Sequence, residues 1–154
     1  MADSESSDAE VRASRLLNVL LVFLGGALGS AGRYGVTLAF GPDESTWATW
    51  VVNMIGAFGF GIVVGVLALS RLDAPSKWRW QLFLCVGLFG GLTSYSAIAF
   101  VMAAQTLESS MSMALAYGFV TLLSGGLFTA LGLIGGLKLV QLKSRAAPES
   151  GEER

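Results

Sequence analysis

The chain of 154 residues is 53% apolar and 14% charged, with 20 glycines, no histidine and a formal net charge of -1. Soluble domains carry about 25% charged residues, so this composition excludes a water-facing enzyme, and its apolar content excludes a disordered chain. The lack of histidine and the lone Cys85 exclude zinc clusters, disulfide scaffolds and His-dependent triads, and no basic field exists to hold nucleic acid; a small integral membrane protein remains.

The first stretch, Met1 to Ser14, alternates Ser, Ala, Asp and Glu, and residues 1–15 are expected to form a disordered tail. An apolar segment follows from Leu16 to Phe40, interrupted only by Arg33. Arg12 and Arg15 followed by Leu16 to Leu24 resemble the start of a signal peptide. The apolar pattern runs on to Phe40, however, which favours a helix that is kept. A turn is expected at Gly41-Pro42-Asp43-Glu44. No charge occurs from Ser45 to Ser70, from Trp80 to Leu107 or from Ser109 to Leu137. Each of these runs exceeds the roughly 20 residues a helix needs to cross a bilayer. The breaks between them, Arg71 to Arg79 and Thr106 to Ser110, are short and polar. The reading is an all-α membrane protein with four transmembrane helices over residues 16–140 and a disordered tail over 141–154.

Four spans put both termini on one side, together with the middle loop. That side collects Arg12, Arg15, Arg71, Lys77, Arg79, Lys138, Lys143 and Arg145, whereas the loops Gly41 to Ser45 and Thr106 to Ser110 hold no Lys or Arg. Lys and Arg bias sets orientation, so both termini are expected in the cytoplasm, from a multi-pass position in the plasma membrane. Trp47, Trp50, Trp78 and Trp80 fall near span ends, where indoles anchor at headgroups.

Polar groups within a span need partners. On the second helix Thr49, Asn53 and Gly56 share one face by their spacing. Asn53 there is either interhelical glue or a hydrogen-bond donor lining an aqueous path. The third helix carries Gly87, Gly90, Gly91, Thr93, Ser94, Tyr95 and Ser96 in close succession, and a break near its middle is expected. Such a break would free carbonyl oxygens at bilayer depth, which only protein, water or an ion can satisfy; close helix packing is the alternative use of these glycines. Tyr117, Thr121 and Ser124 form a hydroxyl stripe on the fourth helix. Gly25/Gly29, Gly61/Gly65 and Gly132/Gly136 have the spacing of helix-packing surfaces. Arg33, the one charge inside a span, either snorkels towards the outer interface or holds an anion or Asn53. No span contains a carboxylate, so a proton-coupled carrier of the small multidrug type lacks its usual acid.

With these residues in view, the chain resembles the Fluc/CrcB family of fluoride channels over Leu20 to Gly136. Gly25-Gly26-Ala27-Leu28-Gly29-Ser30-Ala31-Gly32-Arg33-Tyr34 is similar to the family's first-helix motif. Ala48-Thr49-Trp50-Val51-Val52-Asn53-Met54-Ile55-Gly56-Ala57-Phe58 and Gly87-Leu88-Phe89-Gly90-Gly91-Leu92-Thr93-Ser94-Tyr95-Ser96 match those of the second and third helices. The resemblance implies an antiparallel dimer of the dual-topology type, with narrow pores and a structural sodium ion held at its centre by backbone oxygens of Gly90 and Thr93. It implies an anion path along Asn53, Thr49, Tyr95, Ser96, Tyr117 and Thr121, with Arg33 as the first-helix arginine. Two family phenylalanines fall here on Tyr95 and Ile98, a glutamate on Val101, and a fourth-helix serine on Gly125.

Fluoride is small and tightly hydrated, so a channel must replace its water with close neutral donors and leave out a fixed lysine that would bind too firmly. Passive export down the gradient would lower cytoplasmic fluoride and confer resistance. An antiparallel homodimer needs one sequence to insert both ways, yet the Lys/Arg bias here is one-sided. The expected partner is therefore an oppositely oriented paralogous subunit. A non-conducting subunit that only completes the dimer and its sodium site is the alternative.

Overall fold

Backbone N–H and C=O groups find no water in hydrocarbon, so a chain of this composition must close its hydrogen bonds within helices. The computed structural model describes residues 2–41, 45–108 and 110–146, and these are helical almost throughout. Helix α1 spans Ala2–Phe40, α2 Ser45–Leu69, α3 Ala74–Trp80, α4 Gly90–Leu92, α5 Tyr95–Glu108 and α6 Met111–Ala146, with a π-helical segment, Gln81–Phe89, between α3 and α4. Four stretches are long and apolar enough to cross a membrane: Val11–Phe40, Thr46–Leu69, Ala74–Glu108 and Met111–Arg145. The protein is a four-span, all-α membrane protein.

The helix ends differ from the sequence reading in three places. Helix α1 begins at Ala2, through the stretch where a disordered tail is expected. Once the apolar turns beyond Leu16 exist, each added residue closes a bond without a new nucleus. By the same propagation α6 continues to Ala146, inside the stretch assigned to the second tail, whose residues 147–154 lie outside the described residues. The polar break at Arg71 to Arg79 already contains the start of α3. Asp73 is its N-cap, with Oδ2 accepting the Ser76 N–H at 3.2 Å, and Pro75 lies in the first turn. Asp-x-x-Ser before an apolar run is a start signal that charge counting passes over. These bonds from Ser76 hold the Asp73 carboxyl below its ordinary range. Gly41 closes α1 at φ +81°, a conformation that favours glycine; the expected turn residues 42–44 lie outside the described residues.

Glycines set how the helices pair. A Cβ at Gly25 or Gly29 of α1 would collide with the backbone of Phe83, Gly87 and Leu88 on the π-helical segment. A Cβ at Gly61 or Gly65 of α2 would strike the backbone around Thr129, Gly132 and Leu133, and one at Gly132 would strike the Phe58 carbonyl. Backbone meets backbone at both seams, which only residues without a side chain allow. The chain thus forms two close pairs, α1 with the π-helical segment and α2 with α6, while α5 lies along α6. Trp47, Trp78 and Trp80 are exposed, but Trp50 turns inward and packs edge-on against Phe128 of α6 at 6.4 Å.

Candidate functional site

The third span breaks, and not at its glycines. Gly90 keeps helical angles of φ -63° and ψ -37°, whereas Thr93 is extended at ψ 153°. Hydroxyls and one amide make the break. Thr93 Oγ1 donates to the Phe89 carbonyl at 2.7 Å, alongside the Thr93 N–H at 3.0 Å. Ser94 then restarts the helix as its N-cap, Oγ accepting the Ala97 N–H at 3.2 Å. The buried Ser94 N–H itself donates to Asn53 Oδ1 on α2 at 2.9 Å. Asn53 is held in turn by donating Nδ2–H to the Thr49 carbonyl at 2.8 Å. Packing keeps this arrangement tight, since a Cβ at Gly56, one turn along α2, would overlap the Thr93 methyl group.

Beside the break, α2, α5 and α6 enclose an open groove of about 840 Å³. Asn53, Met54 and Ala57 line it from α2, Thr93 from the break, Tyr95, Ile98 and Met102 from α5, and Thr121, Gly125 and Thr129 are among the α6 residues. No charged side chain lines it. Its donors are neutral. Asn53 has two amide hydrogens, of which the Thr49 carbonyl takes one. Thr121 is 3% exposed, and its Oγ1 completes no hydrogen bond, with the Tyr117 hydroxyl beside it one turn away. A buried hydroxyl without a partner costs about 1–3 kcal/mol, so it points to something that would accept its proton. Tyr95 is 83% exposed in the single protomer, and its hydroxyl and ring are open at the groove.

The hydroxyls predicted from sequence therefore separate. Asn53, Tyr95 and Thr121 meet at the groove, and Thr93 joins them. Thr49, Ser96, Tyr117 and Arg33 are not among its lining residues. Thr49 supplies a carbonyl to Asn53, and Ser96 Oγ lies 3.0 Å from Ser94 Oγ. The Tyr117 hydroxyl donates across to the Thr46 carbonyl of α2 at 3.3 Å. Ser124 donates back to the Val120 carbonyl at 2.7 Å, so Thr121 is the member of the stripe left unspent. Arg33 is half-buried on α1; Asn53 is bonded to Thr49 and Ser94, not to this guanidinium. Val101, at the family's glutamate position, is 3% exposed and outside the groove lining.

Sequence reasoning missed Met54 and Met102 as wall residues. Tyr95, Ile98 and Met102 follow spacings of three and four, which places them on one helix face, and that periodicity was the available signal. Gln105 was also passed over: its Oε1 is buried without a partner near the far end of α5. Gly90 has nothing within 4 Å of a built Cβ and is exposed in the protomer. Among the described residues no group of His, Cys, Asp or Glu could hold a metal.

Comparison with known proteins adds a family. Residues 20–133 match the family model described as CrcB-like protein, Camphor Resistance (CrcB). The chain is 37% identical over 118 residues to the fluoride-specific ion channel FluC of Chlorobium phaeobacteroides, covering 71% of this chain and 89% of that one. It is 36% identical over 124 residues to FluC 2 of Nitrobacter hamburgensis, covering 77% and 97%. It is also 36% identical over 117 residues to FluC of Thermus thermophilus, covering 73% and 88%.

Proposed function

The chain belongs to the CrcB family, and from that premise we propose that it is a subunit of a fluoride-specific channel that lets the anion leave the cell passively. One observation carries the reading: the unpartnered Thr121 hydroxyl and the Asn53 amide line one groove from which charged side chains are absent. A hard, strongly hydrated anion enters such a site when donors replace its water. It leaves again because no charged side chain lines the groove to hold it. Tyr95 adds a hydroxyl and a positive ring edge at the mouth. Thr49 and Tyr117 serve by fixing the helices that carry these donors.

The partner is an antiparallel subunit, for which the apolar groove wall and the exposed Gly90 face are open in the protomer. A sodium ion suits the third-span break, because hard cations take oxygen ligands and the N–H groups that would close the Gly90 and Thr93 carbonyls in a continuous helix are engaged elsewhere. When bound, the ion would supply fixed positive charge and tie the two breaks together. The bias of Lys and Arg to one side supports a multi-pass position in the plasma membrane with both termini cytoplasmic. It also favours pairing with an oppositely oriented paralogue over self-pairing.

A non-conducting role has one observation in its favour. Ile98, Met102 and Met54 make much of the groove wall apolar, which suits a scaffold better than a conduit. Fluoride efflux from liposomes separates the readings. The chain paired with an oppositely oriented paralogue should conduct, and Asn53→Leu in this chain alone should reduce the flux. Unchanged flux in that variant would assign conduction to the partner. Robust efflux from liposomes holding only this chain would refute the obligate pair.

A further inference from the structure

An α-helix closes by bonding each N–H to the carbonyl four residues back. For Ser94 that carbonyl belongs to Gly90, and for Ala97 it belongs to Thr93. Neither bond forms in this way. The Ser94 N–H donates to Asn53 Oδ1 at 2.9 Å, and the Ala97 N–H donates to Ser94 Oγ at 3.2 Å. The extended ψ of 153° at Thr93 turns its carbonyl out of the helix that follows. The extended backbone opens the carbonyls, and two side chains hold it there by taking the Ser94 and Ala97 N–H groups. Both act from buried positions, Asn53 and Ser94 each being 8% exposed.

We propose that Asn53 and Ser94 are positioning residues for the cation site, holding the break at Thr93 in the extended form that exposes the Gly90 and Thr93 carbonyls by binding the Ser94 and Ala97 N–H groups. The inference rests on the sodium reading of the preceding section and deepens it. Neither side chain is a ligand; each works through a backbone oxygen that it does not touch. Asn53 has a second consequence, because the same amide lines the groove. Its Oδ1 holds the break, while Nδ2 gives one hydrogen to the Thr49 carbonyl and keeps the other unspent. Movement of Asn53 towards an anion would loosen the Ser94 N–H, and a cation on the Gly90 carbonyl would oppose closure of that N–H back onto Gly90. Cation occupancy and the orientation of the groove donor are therefore coupled through one side chain.

The test uses the flux-competent protein, full length and in detergent, with thermal melting followed in sodium chloride against N-methylglucamine chloride. Sodium-23 line broadening provides a second readout of the same binding. Wild type should melt higher in sodium. In Ser94→Ala, whose side chain is outside the groove lining, and in Asn53→Leu, the half-saturating sodium concentration should rise at least tenfold. Ser94→Thr retains the accepting hydroxyl and should keep the wild-type response. This variant also separates loss of the hydroxyl from general damage to the break. Wild-type sodium dependence in both Ser94→Ala and Asn53→Leu would overturn the positioning role while leaving the cation site standing. A wild-type protein indifferent to sodium would overturn the cation site itself, and this inference with it.

Discussion

Asn53 and Ser94 lie 41 residues apart in sequence, and the Ser94 N–H meets Asn53 Oδ1 at 2.9 Å. This bond joins the second span to the break in the third and sets one wall of the groove. Removing it leaves a buried N–H unsatisfied, which costs about 1–3 kcal/mol. Asn53→Leu should therefore destabilise the protein by that amount, and by deleting a donor to the anion worth about 1.5–3 kcal/mol it should lower fluoride flux by roughly 10- to 100-fold, measured as efflux from liposomes with an ion-selective electrode. Flux within a factor of two of wild type would assign conduction to the partner and leave the amide a packing role in this chain.

Thr121 poses the opposite case, a hydroxyl that folding leaves unspent. Thr121→Val keeps the shape and deletes the donor, so the folded protein should melt at the same temperature or slightly higher. Fluoride flux should fall by roughly 10- to 150-fold, since one hydrogen bond to a charged partner is worth about 1.5–3 kcal/mol. Thr121→Ser should restore most of it. A loss of stability in Thr121→Val without loss of flux would place the hydroxyl in the fold and not in the path.

The α2–α6 seam is testable by volume. A Cβ at Gly132 overlaps the Phe58 carbonyl oxygen and comes within 3.1 Å of the Ile62 nitrogen, and helix backbone cannot give way there without parting the pair. Gly132→Val should destabilise the protein by about 1–3 kcal/mol, as overpacking does, read from thermal melting in detergent. Gly135→Ala, where a Cβ meets nothing within 4 Å, is the control and should melt like wild type.

Asp73 provides a local pH dependence outside the membrane. Its folded carboxyl is held below the ordinary value of 3.8 by bonds from Ser76, so it favours the capped helix while ionised. That contribution is present above the ordinary carboxylate range and is lost as pH falls through the folded value. Amide exchange at Ser76 should lose protection on acidification below that range, after correction for the intrinsic pH dependence of exchange. Asp73→Ala should show the low protection at every pH.

Much of the fold was legible because hydrocarbon imposes a simple rule. Charge-free runs longer than a bilayer crossing had to become helices, and their count and order followed. The glycine pairs Gly61/Gly65 and Gly132/Gly136 were likewise readable, since small residues at fixed spacing have few other uses in a span. Helix ends were less so. Residues 2–15 look disordered by composition, yet an adjoining helix nucleus carries them, and the cap at Asp73 is a local bond hidden under a charge count.

The candidate site divides along the same line. Sequence alone singled out Asn53, the Gly90–Ser96 stretch and the hydroxyls of α6, because polar groups in a membrane must be accounted for. It could not say which were already satisfied. Folding gave Tyr117 the Thr46 carbonyl and Ser124 its own helix, but left Thr121 without a partner. It also fixed the break within the expected stretch at Thr93 and Ser94, because the amide that holds it open comes from another helix. Hydrogen-bond satisfaction is settled between segments distant in the chain, so only the tertiary structure could decide it.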